Sequence, residues 1–286
     1  MSRRQPTRLV SFLALASACL LLGSCPRAEP QATPPAASTP QPAPTPLGGA
    51  APEAERPPSP APAASVPSAE SPAPTPPKAT AARAPSSVLI LGDSLADEAV
   101  GGGGFVRLLR QRCPAVRFDN RAKGGFMVNQ MRKRLETQVL PEGNDYSHAI
   151  VFGGVNDLYS DKTANRTLAR IESDLSHIYA ALAQRGIDVI AVTVTPWGGF
   201  SKWFTPERGQ NTLTLNAWIL TQPAEGAVAQ ALDAYPLLSC GVSTHLCPAL
   251  SAPHKDGLHI GKLGHQKLGE ALYELAFRGC SPSVAP

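Results

Sequence analysis

Long apolar runs are almost missing from this 286-residue sequence. The one that occurs, at residues 9–22, is shorter than the roughly 20 apolar residues with which a helix crosses a bilayer. No second candidate span follows it. An excess of charge is missing too. The formal net charge of +4 includes Arg3, Arg4 and Arg8 ahead of the apolar run, and the remainder holds 23 basic against 22 acidic residues. A nucleic-acid partner calls for a strong basic stripe, so none is expected. Large apolar side chains are nearly absent from residues 26–85, and such a segment cannot bury enough surface to offset the entropy of ordering. The glycines at 101–104 have neither the spacing nor the lysine of a phosphate-binding loop. The chain carries no internal repeat.

The amino-terminal end carries an address. Arg3, Arg4 and Arg8 form a basic region, residues 9–22 an apolar one, and Leu22-Gly23-Ser24-Cys25 closes the segment. Small residues before a cysteine resemble a bacterial lipobox. That resemblance implies an exported chain cleaved at Cys25 and held by acyl groups on a bacterial membrane, on its periplasmic or cell-surface side. The alternative is an ordinary secretory signal cut between residues 18 and 24. Residues 26–85 hold 19 of the 30 prolines. They read as a disordered, polyproline-like tether with a maximal reach on the order of 190 Å at about 3.1 Å per residue. The expected organisation is a signal segment at 1–25, a linker at 26–85 and one domain at 86–286.

Cysteine usage fits export. With Cys19 in the signal segment and Cys25 lipidated, Cys113, Cys240, Cys247 and Cys280 remain, an even number that suggests two disulfides. Three pairings are possible. Metal binding by Cys240, His245 and Cys247 competes with one of them, but the spacing is not a usual zinc pattern.

Apolar runs at 88–91, 116–120, 148–153, 189–195 and 228–234 read as strands, and segments at 105–111, 127–139, 165–184, 211–220 and 263–278 as helices. In the third helix Leu168, Ile171, Leu175, Ile178 and Leu182 fall on one face, and Gly186 ends it. This alternation predicts a parallel, doubly wound sheet, an α/β class domain of flavodoxin-like three-layer α/β/α type with about five strands.

The first strand, Val88-Leu89-Ile90-Leu91, breaks into Gly92-Asp93-Ser94-Leu95. A serine at the carboxyl end of a parallel strand sits where open α/β sheets place ligands, so the Ser94 hydroxyl is a candidate nucleophile. Gly-Asp-Ser is also ordinary turn chemistry. Spacing strengthens the functional reading. Gly125 lies 31 residues after Ser94, and Asn156 another 31 after Gly125, about one βα repeat each. If the strand order is 2-1-3-4-5, the Gly125 and Asn156 loops flank Ser94. Asn120-Arg121-Ala122-Lys123-Gly124-Gly125 ends in glycines that let a backbone N–H approach a substrate oxygen. Gly154-Val155-Asn156-Asp157 offers an asparagine amide to a developing oxyanion. A plain turn and an Asx turn or cap are the competing readings. Near the carboxyl end, Asp256 and His259 lie three apart in His254-Lys255-Asp256-Gly257-Leu258-His259. There a carboxylate can hold the imidazole by Nδ1 and leave Nε2 to take a serine proton. His254 and His265 are rivals, the latter inside the last helix. His177, in the third helix, reads as structural.

Together these segments resemble the SGNH hydrolase family, also called GDSL esterases/lipases, whose blocks occur here in order over most of residues 86–280. The resemblance implies a serine esterase working through an acyl-enzyme. Ser94 would be the nucleophile, His259 general base then acid, and Asp256 its orienting partner. The N–H groups of Ser94 and Gly125 (or Gly124) and the Asn156 amide would form the oxyanion hole. No metal or cofactor is needed, and a monomer is expected. In the family fold the first and last helices pack side by side, which implies a Cys113–Cys280 disulfide and leaves Cys240–Cys247 as a short staple. The expected substrates are short-acyl, chiefly acetyl, esters of carbohydrate or cell-envelope material. A lysophospholipase or lipase, or a catalytically silent envelope-binding module, are the alternatives. The aromatic loop from Trp197 to Phe204 either meets substrate or anchors itself to the core.

Overall fold

The computed structural model describes residues 83–280. The segment 1–25 with Cys25, and residues 26–82 of the proline-rich stretch, lie outside the described residues. The sheet is built from β1 (Ser87–Gly92), β2 (Arg117–Asn120), β3 (His148–Phe152), β4 (Asp188–Val192) and β5 (Gln230–Leu232). All pairs are parallel, and the order is β2-β1-β3-β4-β5. β1 and β3 are buried along their whole length. A strand covered on both faces has no polar side to show, which is why both read as unbroken apolar runs. Gly92 pairs with Phe152 in register, so the loops that follow β1 and β3 leave the sheet at the same edge.

Helices α1 (Gly104–Arg112), α2 (Val128–Arg134), α3 (Val155–Tyr159), α4 (Leu168–Ala183), α5 (Pro206–Thr221), α6 (Ala234–Leu238), α7 (Pro248–Ser251) and α8 (Lys262–Leu272) complete the domain. Among the described residues, no helix is long and apolar enough to cross a membrane. Several boundaries differ from expectation for local reasons. Helix α4 starts at Leu168 rather than 165 because the Thr167 hydroxyl caps the Arg170 N–H. Helix α5 starts five residues early, with Thr205 as cap and Pro206 in the first turn. Strand β4 stops at Val192 rather than 195. The side chain of Asn216 takes both backbone groups of Val194, Oδ1 accepting its N–H at 2.8 Å and Nδ2 donating to its carbonyl at 2.9 Å. Strand β5 ends early because Asp233 caps α6.

Helix α1 packs along α8, and Cys113, at the end of α1, is bonded to Cys280 beyond α8, closing a loop of 167 residues. Constraining so long a loop stabilises a fold by about 2–5 kcal/mol. Cys240 and Cys247 bond across a small antiparallel hairpin, β6 (Ser239–Cys240) and β7 (Val242–Leu246), separate from the main sheet. The two sulfurs are thus joined to each other, which removes the metal-ligand reading of Cys240, His245 and Cys247.

Candidate active site

One aspartate shapes the turn after β1. Asp93 Oδ1 accepts the Leu95 N–H at 2.9 Å, and its carbonyl accepts from Ala96 and Asp97. Gly92 stands before it because a Cβ there would lie 2.5 Å from the Phe152 carbonyl oxygen. Asp93 is fully buried while Ser94 reaches a half-buried position at the sheet edge.

His259 comes from the far end of the chain. Asp256 Oδ1 accepts the N–H groups of Leu258 and His259, each at 2.9 Å, and Oδ2 accepts from His259 Nδ1 at 2.6 Å. With Nδ1 donating, Nε2 is free to accept, and it lies 3.1 Å from Ser94 Oγ. Partial burial raises the Asp256 pKa, but the His259 N–H, its imidazole and the Leu258 N–H outweigh this and hold it at about 2. The carboxylate therefore stays ionised and keeps the imidazole oriented. Neither rival takes this position. The His254 ring lies beside that of His259, with centroids 5.8 Å apart, and His265 is buried against Phe105. His177 is exposed on α4, with Nδ1 2.7 Å from the Ser173 carbonyl.

The Asp-His turn rests on the loop after β4. Gly257 has φ +74°, and a Cβ on it would lie 2.1 Å from the Gly199 carbonyl carbon, so two backbones meet where only glycine fits. The aromatic loop divides accordingly. Trp197 is core: its ring packs edge-on against Phe204 at 5.0 Å, and Nε1 donates to Thr212 Oγ1 at 2.9 Å. Phe200 and Trp203 instead gather around Tyr159, at 6.0 and 6.1 Å, with Trp203 partly exposed.

Gly125 and Asn156 lie on the loops after β2 and β3, the strands that flank β1 and the Ser94 turn. Among the described residues, the backbone N–H groups of Ser94 and Gly125 have no protein acceptor. Asn156 spends one amide hydrogen on the Phe126 carbonyl, Nδ2 to O 2.8 Å, and keeps the other. Gly124 is not the alternative donor, because its N–H is committed to Asp97 Oδ2 at 2.8 Å. Gly125 itself adopts φ +80°.

Sequence reasoning missed the side chains that hold these donors. Asp97, buried and three residues after Ser94, caps a short turn through Oδ1 and ties the Gly124 loop to the nucleophile loop through Oδ2. Asp157, next to Asn156, accepts the Val128 N–H at 2.9 Å and Arg166 Nε at 2.6 Å. Arg166 Nη2 reaches Asp174 at 2.6 Å, and Arg132 meets the same carboxylate at 3.1 Å. Burial lifts the Asp157 pKa, against the lowering by the Val128 N–H and Arg166. Burial depresses that of Arg166, but its bonds to Asp174 and Asp157 raise it overall. The signals available were adjacency alone: Asp157 follows Asn156, and Asp97 shares the Ser94 turn.

Asp93 has a pH consequence. Burial, opposed by the Leu95 N–H and assisted by the charge of Asp157, raises its pKa from 3.8 to about 7. The folded state thus binds this proton more tightly than the unfolded state, and its contribution to stability falls as pH rises from about 4 to about 7. The full span is on the order of 4 kcal/mol at 1.36 kcal/mol per pKa unit. Asp93→Asn carries no such proton. Urea unfolding at pH 5 and pH 8 is expected to show the variant gaining on the wild type at the higher pH; parallel responses of the two proteins would refute the burial argument.

Comparison with known proteins agrees with this architecture. The profile of the GDSL-like lipase/acylhydrolase family matches residues 90–267. No curated protein sequence matches the chain. Among solved structures, a GDSL-like lipase from Bacteroides thetaiotaomicron aligns at 18% identity over 66% of this chain and 86% of its own, with TM-score 0.55. A lipase/acylhydrolase from Enterococcus faecalis aligns at 22% identity over 66% and 93%, with TM-score 0.53. A catalytic mutant of an acetylxylan esterase from Geobacillus stearothermophilus aligns at 18% identity over 70% and 98%, with TM-score 0.55. At these identities the structures share the fold, while the profile spans more than half of the sequence, from the first strand into the last helix. The chain is therefore a member of the GDSL-like lipase/acylhydrolase family, whose members hydrolyse ester bonds.

Proposed function

We propose that this esterase removes short acyl groups, acetyl first among them, from carbohydrate or other cell-envelope material, using Ser94, His259 and Asp256. The observation that carries the reading is the continuous relay from Ser94 Oγ through His259 to Asp256. His259 Nε2 takes the Ser94 proton as Oγ attacks the ester carbonyl. The tetrahedral oxyanion is met by the N–H groups of Ser94 and Gly125 and the second amide hydrogen of Asn156. Collapse expels the alcohol, protonated by His259, and water then releases the acyl group from Ser94 by the reverse proton transfers.

Two features support a short acyl group on a bulky alcohol. The Asp256 and His259 side chains are about one-third exposed, at 37% and 34%, so the relay stands open to a polymer rather than under a lid. An acetylxylan esterase is also among the structures that share the fold. In a chain-length series of nitrophenyl esters the expected maximum lies at two to four carbons. A maximum at eight or more would favour a lipase, and a folded protein that neither turns over any ester nor reacts with a fluorophosphonate would favour a silent binding module. Asn156→Ala is expected to lower kcat by about 10²–10³ with little change in KM. Unchanged turnover would exclude the amide from the oxyanion hole.

The basic and apolar amino-terminal segment ending in Cys25, followed by the proline-rich stretch, supports export and lipid anchoring. Mass spectrometry of the mature amino terminus tests this, and a chain beginning elsewhere or an unmodified Cys25 would overturn it.

A further inference from the structure

A groove of about 680 Å³ runs along α1 and α8, from their amino-terminal turns to Arg112 and Glu270. It shares Gly101, Gly102, His254, Ile260 and His265 with the small recess of about 130 Å³ that holds Ser94 and His259, so the two are continuous. The groove thus opens on the imidazole side of the nucleophile. That is the side from which His259 delivers a proton to the departing oxygen, and so the side of the alcohol.

Its walls have a sign. Of the two carboxylates lining it, Glu98 is held by Arg110 and Asn120, and Glu270 accepts from Gln266. Arg107 and Lys262 are exposed and have no ion-pair partner among the described residues. Helices α1 and α8 both begin at this groove, at Gly104 and Lys262, and neither has a side-chain cap or an acidic residue in its first turn. Their positive ends are therefore left uncompensated, and Lys262 adds to a field that ordinarily disfavours a cation.

The floor is His265. It is 5% exposed, neither ring nitrogen has a protein partner among the described residues, and it lines both the groove and the recess. Gly104 makes room for it: a Cβ there would lie 2.9 Å from the His265 Cβ and Cγ. Burial, with His254, Arg107 and His259 nearby, lowers its pKa to about 4, so at neutral pH it presents one donor and one acceptor. Its imidazole is an unsatisfied polar group enclosed where the groove meets the recess.

We propose that this groove binds the alcohol half of the substrate, and that this alcohol is a saccharide bearing a carboxylate, its charge meeting Arg107, Lys262 and the two helix ends. The proposal rests on the esterase reading above and names the substrate class of the same site. A lysophospholipid headgroup is also anionic and would occupy the same alcohol side, with its acyl chain on the Ser94 side, so the acyl chain-length series and the lysophospholipid arm of the test separate it from a saccharide.

The test compares full-length wild type with the Arg107→Gln/Lys262→Gln double variant on three acetyl esters: nitrophenyl acetate, acetylated xylo-oligosaccharide and acetylated oligogalacturonate. The double variant is expected to raise KM for the oligogalacturonate at least tenfold and to leave the other two within twofold. Added salt should raise the wild-type KM for the oligogalacturonate alone. Equal effects on all three esters, or none, would overturn the groove assignment. A charge-dependent activity found only on an anionic lysophospholipid would overturn the saccharide. Calorimetric binding of unacetylated oligogalacturonate, made in parallel, separates the two layers of the argument. Binding that weakens tenfold in the double variant supports the groove even where ester turnover fails, and absence of binding to a protein that turns over nitrophenyl acetate refutes the groove alone.

Discussion

Replacing Ser94 by alanine lowers kcat on a good ester by at least about 10⁴-fold, and His259→Ala falls nearly as far, with no added loss when the two are combined. The expectation follows from geometry. Among the described residues Ser94 Oγ has one proton acceptor in reach, His259 Nε2 at 3.1 Å, and without it the hydroxyl is a poor nucleophile at neutral pH. Removal of either member leaves only what the oxyanion donors and substrate binding supply. Neither change should disturb the fold, since both side chains lie at the sheet edge and outside the core cluster. The checks are single-turnover kinetics, fluorophosphonate labelling and thermal melting of the same samples. Labelling that persists in Ser94→Ala would place the nucleophile elsewhere.

The second large effect is on stability. Arg166→Met removes a cation that is 7% exposed and joined at 2.6 Å to both Asp157 and Asp174. Two buried carboxylates would then face one another with Arg132 as the remaining cation near Asp174. Breaking such an arrangement from one side costs about 3–5 kcal/mol, because the partners are left buried and uncompensated. Urea unfolding at pH 7 should show a loss of that size, and Arg166→Lys should recover only part of it, since an ammonium cannot bridge two carboxylates as the guanidinium fork does. A loss below about 1 kcal/mol would mean that water already reaches the cluster. Activity should fall as well. Asp157 adjoins Asn156 and fixes the start of α2 through the Val128 N–H, so the same cluster steadies the Asn156 loop.

These two sites differ in how far they could be read from the chain. Ser94 and the Asp256–His259 pair are legible because each belongs to a short local arrangement: a strand that ends in a turn, and a carboxylate three residues before an imidazole. The central strands are legible because burial on both faces leaves no polar residue in them. The order of the sheet matches the flavodoxin-like expectation, and the regular distance between Ser94, Gly125 and Asn156 then places their loops at one edge. Arg166 was not legible. It stands among Asn165 and Thr167, where an arginine reads as surface, and only the folded chain brings Asp157 and Asp174 around it. The end of β4 was hidden for the same reason, since Asn216, more than twenty residues later, captures Val194 and draws it out of the sheet. The early start of α5 is legible in Thr205-Pro206, a capping hydroxyl followed by a first-turn proline. The Cys113–Cys280 bond came from the resemblance, through helix placement, and not from cysteine spacing.

The meeting of Gly199 with Gly257 bears on how this protein can vary. The imidazole hangs from a turn that leans, main chain to main chain, on a segment 58 residues earlier. A methyl group at position 257 would displace both, and the base would drift from the alcohol without any change to the reacting groups themselves. Grafting the final segment onto a cousin therefore transfers its proton relay only if the supporting loop travels with it.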